Sequence, residues 1–374
     1  MTTILNRPAR LSEHGFRDGG TFTVGAEEEL FLLDPRGTLD AGAHHLIDDL
    51  ACSVPAGRGV VTHELFAAQI EFATSVCTDA AEISGDLSVL RSCLVRAGAR
   101  PMAAGLHPAA PFGEAALTDA ERYRFIGDSL AGLLRTPTAA FQVHVGVPDA
   151  EAGVLAYRGT RHALAVLQGL AATSPLWHGR DSGLASARWA TIRSYPRGGV
   201  PPVVRSWEEY AALVDLVASA ADLPDYTHVW WDARLQPRLG TIEIRVMDAQ
   251  PSLSRAAGLA ALVQGLVRHA VENPVAFDVP SPVLEENGFR TARHGMETSV
   301  TDVDGTRRPV RELATRMLAQ ARAGLEADGR ADALEEVERL LREEPEYVRH
   351  RRLLAEGGVQ AVVDDLVSRT IGAT

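Results

Sequence analysis

The sequence predicts an α+β fold, a sheet with an apolar back and a polar front whose covering helices pack on the apolar side. Three observations lead there. The segment Thr21–Asp34, TFTVGAEEELFLLD, alternates as a strand, with Phe22, Val24, Ala26, Leu30 and Leu32 on one face and Thr23, Gly25, Glu27, Glu29 and Phe31 on the other. Later segments repeat that design. Between them lie stretches whose apolar residues recur at helical spacing.

The first strand carries the most information. A Glu27-Glu28-Glu29 run can be a solvated edge, but here it sits inside a β-rich apolar segment, where each desolvated carboxylate needs a cation or a donor. Glu27 and Glu29 share the polar face and ask for a metal or a base. Glu28 falls on the apolar face, with no partner evident from the sequence.

Composition narrows the function. The 374 residues include 46% hydrophobic ones, enough for a large core. With no linker, repeat or low-complexity stretch to cut at, one domain over 1–374 is expected, ending in a helical region from about 309 to 374. A net charge of -12 argues against nucleic acid and anionic membranes and favours a small ligand. The start, MTTILNRPARLSEHGF, lacks a signal-peptide h-region, and no apolar run approaches a membrane span. Cys52, Cys77 and Cys93 lack metal-site spacing, so a reduced cytoplasm without zinc is expected. The chain has no lysine, and all 37 basic residues are arginine. A Walker lysine or Schiff-base lysine is thereby excluded, and any phosphate must be held by arginine and divalent metal.

In chain order, DPRGTLDAG reads as a turn and HHLIDDLAC as a short helix with His44 and His45 at the surface. HELFAAQIEFATSVC reads as the second strand, Ile70 and Phe72 facing one way, Gln69 and Glu71 the other. His63-Glu64 lacks the second histidine of a zinc-protease motif. Thr78 to about Arg100 is an amphipathic helix with Thr78 as N-cap and Ile83, Leu87, Leu90 and Leu94 as its stripe. PMAAGLHPAAPF is a strand entering a loop in which His107 serves either a site or the turn. TDAERYRFIGDSLAGLLR is a further amphipathic helix.

AAFQVHVGVPD is the third strand, with Phe141, Val143, Val145 and Val147 behind and Gln142, His144 and Gly146 in front. His144 fits a satisfied buried imidazole or a ligand. A helix over Arg161 to Ala172 precedes a long Gly/Pro-rich connection bearing Arg180, Arg188, Arg193 and Arg197, which suit either a polyanion or ordinary surface. WWDARLQPRLGTIEIRVMDAQPS holds the fourth strand, with Ile242, Ile244 and Val246 behind and Thr241, Glu243 and Arg245 in front. That pairing sets a metal ligand beside a phosphate clamp, or makes a cross-strand salt bridge. A helix over Ser254 to Val271 covers the sheet, and Asn287, Arg290, Arg293 and His294 lie on a loop suited to a lid. The remaining helices alternate in charge, as a solvated outer layer does.

Glu27, Glu29, Glu71, His144 and Glu243 thus form an oxygen-rich set with one imidazole, a donor chemistry that selects magnesium or manganese over zinc. Flanked by Arg245 and the loop arginines, it suits transfer of the terminal phosphoryl of a nucleotide.

Through GAEEELFLLD, QIEFATSVC, AAGLHP, VHVGVPD, SPLWHGRDSG, WDARLQPRLGTIEIRVMDAQPSL and ENGFRTARHG, in order, the chain resembles the carboxylate–amine ligases related to type-two glutamate–cysteine ligase, whose catalytic fold is similar to that of glutamine synthetase. The resemblance implies a curved antiparallel sheet cradling ATP and magnesium or manganese. It implies a ligase that joins a carboxylate, glutamate or a similar amino acid, to an amine, cysteine or another, through an acyl phosphate. Glu27, Glu29, Glu71, His144 and Glu243 are then metal ligands and Arg245 the phosphate-contacting arginine, with Glu27, Glu243 and Arg245 carrying the catalysis. Arg180, Arg234, Asn287, Arg290 and Arg293 are nucleotide or substrate contacts. Gln142 stands where the family commonly has histidine and Ala26 where it has a larger aliphatic residue, which leaves room for a specialised amide-forming ligase. A guanidino-kinase-like phosphotransferase on the same scaffold, a non-catalytic nucleotide or amino-acid sensor, and a homo-oligomer also remain open.

Overall fold

The computed structural model describes residues 10–113, 115–275, 277–326 and 328–372; the first nine residues and the side chains of His44 and Cys52 lie outside that set. Strands β1 (Val24–Leu32), β2 (Val60–His63), β3 (Gln69–Ala73), β4 (Pro101–Met102) and β5 (Ala140–Gly146) come from the first half of the chain. Three short pairs carry β6 (Leu176–Trp177) with β7 (Arg180–Asp181), β8 (Gly198–Gly199) with β9 (Trp230–Trp231), and, further on, β12 (Ser299–Thr301) with β13 (Arg307–Pro309). Between the last two pairs, β10 (Ala233–Gln236) and β11 (Thr241–Asp248) complete the main sheet.

That sheet runs β10-β11-β5-β1-β3-β2, with β4 also on β1, and every pairing in it is antiparallel. The order puts the four sequence-read strands side by side, as β11, β5, β1 and β3. The second strand is shorter than expected: it is a β2–β3 hairpin, and residues 64–68 form its turn. The fourth is likewise a hairpin, β10 folding back on β11.

Twelve α-helices surround it: α1 (His45–Ser53), α2 (Ala80–Arg96), α3 (Glu121–Leu130), α4 (Ala150–Thr160), α5 (Leu164–Ala171), α6 (Ala187–Arg193), α7 (Trp207–Ala220), α8 (Leu253–Glu272), α9 (Ser281–His294), α10 (Val310–Glu326), α11 (Leu334–Arg342) and α12 (Glu346–Thr370) among the described residues. Several depart from expectation. The cap of α2 is Asp79, whose carboxylate accepts from Ala81 N at 2.9 Å and Glu82 N at 3.1 Å, while Glu82 reaches back to Thr78 N. The helix expected over 161–172 is α5, which starts at Leu164, and a helix not expected from the sequence, α4, capped by Asp149, precedes it. The long connection holds a β6–β7 hairpin and the helix α6. The stretch expected as a lid loop is the helix α9, entered through a proline in its first turn and packed on α5 and α6.

The back of the sheet is dry. Val24, Ala26, Val143, Val145, Ile242 and Ile244 meet Ile83 and Leu87 of α2, Tyr157 of α4 and Leu259 and Leu262 of α8. Leu30, Leu32, Ile70 and Phe72 continue it against Leu90 and Leu94 of α2 and Val362, Val363 and Leu366 of α12. Each fully buried side chain of this size stabilises the fold by about 1.5–3 kcal/mol. The C-terminal helix is therefore core as well as outer layer, with a kink at Gly358 letting its last turns dock.

Glu28 has found its partner on this dry side. Arg91 of α2 donates Nε to Glu28 Oε2 at 2.9 Å and Nη2 to Oε1, and its remaining donors reach the carbonyls of Gln250, Pro251 and Thr370. The pair is buried, with side-chain exposures of 0% for Glu28 and 3% for Arg91. A charge that looked misplaced in the sequence ties β1, α2, the β11–α8 junction and the C-terminus together.

Candidate active site

The polar front of the sheet forms one wall of a cavity of about 370 Å³. Strand register decides which side chains meet there. Glu243 of β11 lies directly opposite His144 of β5, which lies opposite Gly25 of β1; one step along, Gln142 faces Glu27, and beyond that Glu29 faces Glu71 of β3 and Glu71 faces Thr62 of β2. Gly25 puts no side chain beside His144; a Cβ there would meet Thr74 Oγ1 and Ser75 O in ordinary contact.

Glu27, His144 and Glu243 each offer a ligand atom within 4.8 Å of the others. His144 Nε2 is 3.2 Å from Glu27 Oε1 and 4.0 Å from Glu243 Oε1, while its Nδ1 is held by Thr241 Oγ1 at 3.0 Å. Burial works against charge on all three. For Glu27 the facing imidazole and Arg245 outweigh it and hold the carboxyl below its ordinary value. Glu27 and Glu243 likewise raise His144 despite its burial. Glu243 is held well down by Arg234 and Arg245.

The β1–β3 corner is different. Burial, then repulsion from Glu64, pushes Glu29 up to about 8, although its oxygens accept from Ala140 N and Gln142 Nε2, each at 2.8 Å. Glu71 is raised well above its ordinary range by burial and by Glu27, Glu64 and Glu29, with only the Thr62 hydroxyl at 3.2 Å opposing. Glu64, in the β2–β3 turn, is raised by burial too. None of these three is ion-paired to an arginine among the described residues.

This donor set fits a divalent cation. It supplies carboxylate oxygens and one imidazole, its His144 Nε2 points between the Glu27 and Glu243 carboxylates, and burial and mutual repulsion favour the protonated form of its crowded Glu29 and Glu71 carboxyls. Glu27, His144 and Glu243 would hold one ion, and Glu29, Glu71 and Glu64 border the same space.

The same cavity is lined by Arg234, Arg245, Arg188, Arg193 and Arg122. Arg234 is pinned by both Glu243 oxygens, at 2.9 and 3.1 Å, and by the carbonyls of Thr227 and Val229. Arg188 braces the carbonyls of Arg245 and Val246, and Arg193 is paired with Asp232 and Glu285. Leu65, Phe66, Tyr123, Ile126, Leu130, Tyr195 and Trp230 both line the cavity and pack with one another as an apolar roof.

Four sequence-read contacts are not brought here. Arg180 is exposed on β7, and Arg293 is exposed on α9. Asn287 spends its amide on the Thr301 backbone, donating at 2.8 Å and accepting at 2.9 Å, and Arg290 bonds Ser299 O and Thr298 Oγ1. Asn287 and Arg290 fasten α9 to the β12–β13 hairpin, so the stretch expected as a loop is a packed helix. His107 serves its turn, bonded to Gly37 O and Ala109 N. Conversely, Glu64 and Arg122 were missed; Glu64 is a carboxylate between apolar runs, the same signal that marked Glu71, but a turn hides it from strand alternation.

The family described as Glutamate-cysteine ligase family 2 (GCS2) matches residues 23–365. The chain belongs to that family. A Rubrobacter xylanophilus protein named "Putative glutamate--cysteine ligase 2-3" is 37% identical over 93% of this chain and 97% of its own length. A Sorangium cellulosum protein named "Putative glutamate--cysteine ligase 2" is 31% identical over 94% and 96%. Among solved structures, the Francisella tularensis glutamate–cysteine ligase in complex with AMP shares the fold at a TM-score of 0.70 and 13% identity, covering 96% of this chain and 90% of that one. A bifunctional glutathione synthetase from Pasteurella multocida does so at 0.68 and 14% identity, with 97% and 53% covered. With the family comes the reaction class: the protein is an ATP-dependent carboxylate–amine ligase. No helix of the described residues is long and apolar enough to cross a membrane.

Proposed function

We propose that this ligase activates the carboxylate of glutamate or a similar amino acid with ATP and joins it to the amine of cysteine or another amine. The observation that carries the reading is the row Glu27–His144–Glu243 on three adjacent strands, in one cavity with Arg234, Arg245 and Arg188.

A carboxylate is a poor electrophile. One of its oxygens attacks the terminal phosphorus of ATP, the bond to ADP breaks, and an acyl phosphate results. The amine nitrogen then attacks the acyl carbon, phosphate leaves, and the nitrogen gives up a proton. Arg245 and Arg188 offer guanidinium groups for the phosphoryl and carboxylate oxygens, holding them in line. Arg234, locked to Glu243 and two carbonyls, keeps the Glu243 carboxylate in place. The roof of Phe66, Ile126, Leu130, Tyr195 and Trp230 excludes water from the acyl phosphate. Magnesium or manganese, when bound by Glu27, His144 and Glu243 with Glu29 and Glu71 beside them, supplies charge neutralisation for the polyphosphate. Gln142, bonded to Glu29, shapes this corner.

Incubation with ATP, magnesium, glutamate and a panel of amines tests the proposal. Amine-dependent release of ADP and phosphate with amide formation, and transfer of carboxylate ¹⁸O into the released phosphate, are expected. A phosphorylated product that persists, or ADP release indifferent to every amine, would overturn it.

A further inference from the structure

Glu243 is saturated. Its Oε2 accepts from Arg234 Nε and Gln236 Nε2, and its Oε1 accepts from Arg234 Nη2 and from Arg245 Nη1. That Oε1 is also the oxygen facing His144 Nε2 at 4.0 Å. A cation entering between Glu27, His144 and Glu243 therefore meets a guanidinium already on one of its ligand atoms.

The two arginines on Glu243 are held differently. Arg234 is fixed by the carboxylate and by two backbone carbonyls. The Arg245 side chain has Glu243 Oε1 as its one hydrogen-bond partner among the described residues, is 21% exposed, and lines the open cavity. Its backbone, by contrast, is braced. The register of β11 against β5 shifts between Ile244 and Met247, a bulge at residues 245–246 that re-aims the side chain. Arg245 N donates to Asp232 O at 2.8 Å, and Arg188 donates to the carbonyls of Arg245 and Val246, each at 3.2 Å. A rigid base with a singly tethered guanidinium can swing from carboxylate to phosphate without moving the strand.

We propose that Arg245 is a resident counter-cation: it occupies the Glu243 arm of the metal site until the polyphosphate of a nucleotide draws it away, so that divalent metal and nucleotide bind with positive coupling. This rests on the reading above that a divalent cation sits among Glu27, His144 and Glu243. The physical reason is competition for one oxygen, since a metal alone must displace Arg245 into water, whereas a metal arriving with nucleotide gives the guanidinium a new anion. Linkage makes the effect reciprocal, with metal raising nucleotide affinity by the same factor.

The test uses Mn²⁺ as probe, its binding followed by electron paramagnetic resonance with and without β,γ-methylene-ATP, in the full-length protein. In the wild type the analogue should raise Mn²⁺ affinity within the range of about 5-fold to about 150-fold. Arg245→Gln should raise the nucleotide-free affinity by at least about fivefold and shrink the coupling correspondingly. Arg245→Lys, which keeps the charge, should stay near the wild type and supplies a second variant should the first not fold. Arg122→Gln, removing a cavity arginine bonded to Thr227 rather than to a carboxylate, should raise nucleotide-free Mn²⁺ affinity by clearly less than Arg245→Gln does. Equal nucleotide-free affinities in wild type and Arg245→Gln, or an equal rise in Arg122→Gln, would overturn the proposal while leaving the ligase reading intact. Absence of Mn²⁺ binding in all proteins even with the analogue would overturn both.

Discussion

Glu28 and Glu29 are neighbours in the chain and opposites in environment. On the back of the sheet, Glu28 is buried with Arg91 and the pair's other donors are satisfied by carbonyls. On the front, Glu29 shares a corner with Glu71 and Glu64, no arginine among the described residues is bonded to it, and burial with repulsion pushes it up to about 8. The back spends its charges on holding elements together; on the front Glu243 is paired with Arg234 and Arg245, while the Glu29–Glu71–Glu64 corner has no bonded arginine among the described residues. A fold that pairs one buried glutamate with an arginine and gives the next only the neutral donors of Ala140 and Gln142 offers the place where the proposed cation would sit.

The strongest break of this comparison is on the back. Glu28→Ala leaves the Arg91 guanidinium buried and unpaired, so denaturant unfolding should register a loss of about 3–5 kcal/mol. A loss under about 1 kcal/mol would show that the pair is dispensable. Removing a front carboxylate should do the reverse: Glu27→Ala is expected to add about 3 kcal/mol or more to the barrier, roughly a hundredfold in kcat, while the unfolding midpoint stays close to that of the wild type. Turnover unchanged in Glu27→Ala and Glu243→Ala would remove both from the site.

The front should also show itself in pH. The folded state holds a proton on Glu29 from its ordinary value of 4.5 up to about 8, whereas the unfolded state releases it near 4.5. The folded state therefore binds more protons in that window. Stability without metal is full below about 4.5 and falls with rising pH, by at most ~1.4 kcal/mol per unit for this carboxyl. Glu71, shifted the same way, adds to the slope. Glu29→Gln should flatten it, and Mn²⁺ should stabilise more at pH 8 than at pH 5 because it replaces those protons. A flat profile would mean that the corner is already neutralised.

A smaller effect separates α9 from the site. Asn287→Ala should cost about 1–3 kcal/mol of stability by leaving the Thr301 backbone unpaired, with little change in KM for ATP. Arg293→Ala, on an exposed face, should stay within about 0.5 kcal/mol. A large rise in KM from either would return α9 to the site.

What the sequence made legible follows from the same contrast. Strands β1, β3, β5 and β11 each alternate long enough to separate a core face from a polar one, so Glu27, Glu29, Glu71, His144 and Glu243 could be set on one surface before any coordinates. Four-residue strands such as β2 and β10 carry too little pattern, and their hairpin turns hid Glu64. The partner of Glu28 lies 63 positions away on a helix face that reads as ordinary, so only three-dimensional packing reveals it. Helix α9 reads as loop because Asn287, Gly288 and its arginines imitate loop composition; what makes it helical is its packing on α5 and the β12–β13 hairpin, which no local signal encodes.

The account stands on a divalent cation among the front carboxylates. Crystals grown with Mn²⁺ and β,γ-methylene-ATP, measured at the manganese absorption edge, address it directly. An anomalous peak within coordination distance of Glu27, His144 and Glu243 is the predicted result; manganese elsewhere, with those three side chains unliganded, would contradict it.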